Sequence, residues 1–147
     1  MTQRDADLAI RMLAAASELL DGIQAGMTRR GFDDVRPAHG FAFARIAAGD
    51  ASVLDIAEHL GVTKQGASQL VEQLVQRGYV ARVADGADAR RRVLALTPRG
   101  SACTEAAEAS AADVVGQWRT EIGAGGVREL YALLARMHLA GPVRPAW

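Results

Sequence analysis

Cysteine, histidine and lysine are almost missing from this chain of 147 residues. The single cysteine, Cys103, excludes an intramolecular disulfide and any zinc site built from cysteines. The three histidines, His39, His59 and His138, fall on three different predicted helices without paired spacing, so no metal site is expected. Lys64 is the only lysine; the other sixteen basic residues are arginine, which with so much alanine and glycine reflects a GC-rich genome rather than a function. No run of about 18 apolar residues occurs, and the first residues lack a basic segment leading into an apolar one. The expectation is a soluble, cytoplasmic chain with no membrane contact. Charge of one sign is also missing, since 17 basic residues balance 17 acidic ones, and this argues against a bulk polycation. There is no Ser/His/Asp arrangement, no phosphate-cradling glycine loop and no pair of carboxylates placed for acid–base work. Gly123-Ala124-Gly125-Gly126 has no strand before it and reads as a corner between helices. Neither catalysis nor a cofactor is expected.

Half of the residues are hydrophobic, enough for a folded core in one domain or a compact two-lobed unit. The basic residues are not spread evenly. Thr63 to Gly100 holds seven of them against three acidic ones, a net of +4, which leaves −4 for the rest. A basic patch on an acidic body is the footprint of a chain that meets a polyanion at one face.

Apolar residues recur at helical spacing from about Ala6 to Met27, in a stripe too wide for one small neighbour to cover. Pro37 suits the first turn of a helix that Gly49-Asp50 stops. Ser52, with Asp55 three residues on, opens a short helix to Leu60, with Leu54, Ala57 and Leu60 expected to face inward. Gly61-Val62 turns the chain, Thr63 caps the next helix, and Gly78 ends it. Two short helices around a glycine turn make a helix-turn-helix. Tyr79–Val83 and Arg92–Leu96 then alternate as paired strands around the loop 84–91. Thr97-Pro98 starts a long helix, broken at Gly123, and a last helix carries Val127, Leu130, Leu134 and Met137. The fold class is mainly α with a small β-hairpin wing, a winged helix-turn-helix. Residues 37–97 form the expected DNA-binding lobe, and 1–36 with 98–147 the expected helical dimerisation region.

In the second helix of the motif Ala67, Leu70, Val71 and Leu74 form the expected buried face. Thr63, Lys64, Gln65, Ser68, Gln69 and Glu72 are left for the other side. Glutamine can pair bidentately with adenine, and lysine can reach a guanine edge or a phosphate, so this face suits a major groove. Any solvated helix carries such residues; it is the flanking turn and basic hairpin that give them meaning. Arg90, Arg91 and Arg92 end the hairpin loop, where a guanidinium suits the concentrated negative potential of a narrow minor groove. Alternate strand residues face opposite ways, so Arg90 is assigned to the groove and a neighbour to phosphates. Asp88 is expected to hold the Arg90 side chain by a charge-assisted contact.

These motifs resemble the MarR family of winged-helix regulators. The likeness is carried by Asp55-Ile56-Ala57-Glu58-His59-Leu60-Gly61-Val62-Thr63-Lys64-Gln65, by Leu70 to Leu74, by Gly78-Tyr79-Val80 and by Asp88-Ala89-Arg90 running on to Leu94-Ala95-Leu96-Thr97 and Gly100. The resemblance implies a homodimer with interlocked terminal helices, bound to a near-palindromic operator on double-stranded DNA. It implies in many members a repressor released by a small aromatic or phenolic effector. His39, Phe43 and Trp118 are the candidate effector-binding residues, with Arg11 or Arg45 as partners for a ligand carboxylate. The family's peroxide-sensing branch uses a cysteine in the first helix, and this chain has none there; Cys103 is expected to be a buried structural thiol. The reading from another class is a winged-helix protein-interaction module that does not bind specific DNA.

Overall fold

The computed structural model describes residues 2–138. Its elements are α1 (Gln3–Arg29), α2 (Pro37–Ala47), α3 (Val53–Leu60), α4 (Lys64–Gln76), β1 (Val80–Ala84), β2 (Arg92–Leu96) and α5 (Pro98–Arg136). The chain is mainly helical with one two-stranded hairpin. The described residues divide into two compact units, one of residues 2–33 with 107–138, the other spanning Asp34–Ala106.

The helical unit holds α1 and most of α5. α1 begins earlier than its apolar stripe, because Thr2 and Asp5 form a reciprocal capping box. Gly22 and Gly26, one turn apart on α1, let α5 come close: a Cβ at the first would strike Val114, and at the second Ser110. Arg30 closes the seam, donating to Ser110 Oγ at 3.2 Å and to Asp113 Oδ2 at 2.9 Å. Further along, Trp118 Nε1 donates to Glu18 Oε1 at 3.2 Å. α5 is not one straight rod. Gly123 has φ 77° and ψ 164°, a conformation that side chains rarely adopt, and it breaks the helix where the glycine-rich corner was expected.

The second unit is the winged lobe. α2 starts at Pro37, and His39 Nδ1 accepts the Arg36 N–H at 2.9 Å. α3 is capped by Ser52, whose hydroxyl and N–H both donate to Asp55 Oδ2, at 2.8 and 2.7 Å. It buries Ile56, Ala57 and Leu60. Leu54, expected inside, is 58% exposed instead. Over eight residues the spacing allows two overlapping stripes, and packing selects the one through Ile56. Gly61 ends α3 with a left-handed φ of 68°, and Thr63 Oγ1 caps α4 by accepting the Gly66 N–H at 3.0 Å. Ala67, Val71 and Leu74 are buried, Leu70 only partly.

β1 and β2 pair antiparallel, Val80 opposite Leu96 and Ala84 opposite Arg92. β1 thus begins one residue later than the alternation suggested. Tyr79 is withdrawn into the core, where its ring meets Phe43 at 5.7 Å between centroids. Ala51 adds an isolated bridge to Leu94, whose N–H donates to the Ala51 carbonyl at 2.8 Å. The core of the lobe is Phe43, Ile46, Ile56, Leu60, Val71, Leu74, Tyr79 and Leu94.

Candidate nucleic-acid interface

Because α4 buries Ala67, Val71 and Leu74, its first turns turn Lys64, Gln65 and Gln69 to solvent. None of these three side chains makes a hydrogen bond or ion pair among the described residues. Ser68 is half-buried, and Thr63 is exposed with its hydroxyl engaged in the cap. The helix N-terminus adds unpaired backbone N–H groups and the positive end of the dipole, both favourable to phosphate. Glu72 follows on the exposed side but is neutralised by Arg82 on the hairpin, at 3.0 Å.

The wing loop is ordered by its own acids. Asp85 Oδ1 accepts the Ala87 N–H, and Asp88 Oδ1 accepts the Arg90 N–H, both at 3.0 Å. Asp88 therefore supports the backbone at Arg90, whereas the expected contact was with its side chain. The correction is geometric: two residues apart in a turn, a carboxylate reaches the main-chain N–H before it reaches a long side chain. Hydrogen bonds from the Ala87 N–H and from Arg91 hold the Asp85 carboxyl below its ordinary pKa.

The three consecutive arginines do different things. Arg90 and Arg92 are exposed and unpaired among the described residues. Arg91 is held by carboxylates, Asp50 at 2.6 Å and Asp85 at 3.0 Å. The hydrogen bonds it donates to Asp85 and Asp50 raise its pKa further. Nothing in the local sequence signals the Asp50 contact, which joins residues 41 apart in the chain.

Behind the interface lies a polar knot that sequence reasoning missed. The Tyr79 hydroxyl donates to Asp34 Oδ1 at 2.7 Å, and Arg99 donates to the Tyr79 oxygen at 3.1 Å while lying 4.5 Å from the ring centroid. Arg77, at the end of α4, donates to the Asp34 carbonyl at 2.7 Å. The Tyr79 hydrogen bond keeps the Asp34 carboxyl below its usual pKa. A tyrosine after the helix-ending Gly78 was the available signal.

The three candidate effector residues are not alike. His39 is a buried cap whose Nδ1 accepts a hydrogen bond from the Arg36 N–H, and burial and the charge of Arg77 depress its pKa. Phe43 is 2% exposed and belongs to the core. Trp118 borders an apolar cavity of about 380 Å³ in the helical unit, lined also by Met12, Leu19, Ile122, Leu130 and Leu134. Arg11 pairs with Asp7, and Arg45 with the Gly49 carbonyl, so both cations are occupied locally. Cys103 is buried, as expected, and burial pushes its thiol up to about 11. Among the described residues no cluster could hold a metal ion, and no helix is long and apolar enough to cross a membrane.

Residues 33–91, the segment that builds this surface, match the model of the MarR family. Over that segment the chain is similar to the MarR family. The fold on which that segment lies is a winged helix-turn-helix, and the model it matches is that of a family of transcriptional regulators. Solved structures agree on the fold over nearly the whole chain. The reduced form of MarR from E. coli is 19% identical, with a TM-score of 0.73 over 90% of this chain and 96% of that one. A MepR mutant from S. aureus, bound to an oligodeoxyribonucleotide, is 21% identical, with a TM-score of 0.65 over 90% and 94%. A Mycobacterium tuberculosis MarR family protein, in complex with salicylic acid, is 22% identical, with a TM-score of 0.66 over 88% and 94%. No curated protein matches the sequence.

Proposed function

We propose that this chain is a homodimeric repressor of the MarR family that reads a near-palindromic operator and releases it on binding a small aromatic ligand. The observation that carries the DNA reading is the pairing of two free surfaces in one lobe. The exposed Lys64, Gln65 and Gln69 of α4 follow a tight glycine turn, and the exposed Arg90 and Arg92 stand at the end of an ordered loop. Gln65 and Gln69 are the base readers in the major groove, Lys64 and the α4 N-terminus hold phosphates, and Arg90 enters the minor groove with Arg92 on the backbone. Thr63 and Ser68 flank the reading residues, and Asp88 orders the loop. The structural relative bound to an oligodeoxyribonucleotide supports DNA as the partner.

The dimer is supported by the helical unit, whose Leu8, Ile10, Leu13, Tyr131, Leu133 and Met137 all stand exposed. So many large apolar side chains in water on two terminal helices call for a second copy. The effector is supported by the salicylic acid complex of a structural relative and by Trp118 at an apolar cavity. A ligand acts by preferring one dimer geometry, in which the two recognition helices no longer meet successive major grooves.

Selection from a randomised duplex library by the purified protein tests this function. The expected product is a two-fold symmetric motif with half-sites about one helical turn apart. A folded dimer that enriches no motif would refute it and favour a protein-interaction module.

A further inference from the structure

Three carboxylates from separate stretches of the winged lobe converge on one guanidinium. Arg91 Nη1 stands 2.6 Å from Asp50 Oδ1 and 3.0 Å from Asp85 Oδ2, while Nη2 is 3.9 Å from Asp55 Oδ2. Asp50 closes the turn after α2, Asp55 caps α3, and Asp85 opens the wing loop. The turn is itself tightly specified, with Asp50 at a left-handed φ of 53°, unusual for a residue with a side chain. Arg45 holds it from the other side, donating to the Gly49 carbonyl at 2.9 Å and approaching Asp55 at 3.9 Å.

The main chain agrees with the side chains. The Asp85 N–H donates to the Arg91 carbonyl at 2.9 Å, and the Arg91 N–H to the Asp88 carbonyl at 3.0 Å. One residue beyond Asp50, Ala51 bridges to Leu94 of β2. A planar guanidinium with five N–H donors in fixed directions can join several carboxylates at once, which an ammonium on a flexible stem does less well. A donor set so engaged is poorly placed to take a phosphate as well.

We propose that Arg91 is a positioning residue of the DNA interface, tying the returning limb of the wing to the α2–α3 turn so that Arg90 is offered to DNA from a fixed base. This inference rests on the DNA-reading role of the lobe. A loop already ordered loses less freedom on binding than a loose one, so the brace contributes affinity without touching DNA.

The salt dependence of operator binding separates brace from contact. Arg91→Ala should weaken binding about five- to tenfold with the slope of log affinity against log salt unchanged, because no phosphate contact is lost. Arg90→Ala should weaken binding and flatten that slope by about 0.9. The double variant Asp50→Asn with Asp85→Asn, which cuts the brace from its other side, should also weaken binding. Tighter binding by that double variant, or a flattened slope in Arg91→Ala, would make Arg91 a phosphate ligand held back by acids and overturn the proposal. Amide hydrogen exchange reads the brace without DNA. Exchange at Asp85 and Arg91 should quicken in Arg91→Ala and in the double variant but not in Arg90→Ala, and unchanged exchange would overturn the proposal. If the wild-type protein binds no duplex, the DNA reading fails by itself, and exchange still decides the brace.

Discussion

The two units of this chain treat their apolar residues in opposite ways. The winged lobe closes over its own, with Phe43, Ile56, Val71, Leu74 and Tyr79 at 2% exposure or less. The helical unit leaves Leu8, Ile10, Leu13, Tyr131 and Leu133 half exposed or more. One buries its apolar residues as a single copy; the other leaves a face for the proposed second copy to cover. A substitution in the first is therefore felt as folding stability, and one in the second as assembly.

The strongest way to break that contrast is to charge the open face. Leu13→Glu combined with Leu133→Glu should cost the dimer about 4 kcal/mol, roughly a thousandfold in self-association. Sedimentation should show monomers, while circular dichroism keeps the helical signal of the folded chain. A dimer of unchanged affinity would mean that this face is not the interface. Next in size is the closed core, where Leu74→Ala should lower unfolding free energy in urea by about 3 kcal/mol without altering the dimer constant of the protein that remains folded. A loss below about 1 kcal/mol would show a lobe less closed than its burial indicates.

Two smaller effects sharpen the picture inside the lobe. Gln69→Ala should cost about 1–2 kcal/mol of operator affinity and relax base preference at one symmetric pair of positions. A selected motif identical to the wild type's would remove Gln69 from the readers. The smallest effect is the pH response of His39. Its folded pKa lies below the ordinary value of 6.5, so the unfolded chain takes up the proton first. Stability is then fully present above pH 6.5 and declines as pH falls through that value toward the folded pKa. The melting temperature should drop between pH 7.5 and 5.5, and His39→Asn should flatten that part of the decline.

What could be read from the sequence followed the range of the interactions involved. Ser52 with Asp55, Gly61, Thr63, Gly78 and Pro98 act within a few residues of themselves, and they placed the helix-turn-helix and its neighbours to within a residue or two. The break at Gly123 was legible for the same reason. Leu54 was misjudged because eight residues are too few for periodicity to choose a face. His39 and Phe43 are buried, and residue type and spacing alone cannot separate a pocket wall from a core. The partner of Arg91 in Asp50, like that of Tyr79 in Asp34, comes from more than forty residues away and has no local signature.

Among the described residues the side chains of Gln65 and Gln69 on α4 bond to nothing else, for the helix is held by Ala67, Val71 and Leu74 from behind and by Thr63 at its end. If these residues read DNA as proposed, mutations there are filtered by the genome they address and hardly at all by the need to fold. A duplicated gene with this architecture can thus drift to a new set of promoters one letter at a time, its scaffold inherited intact.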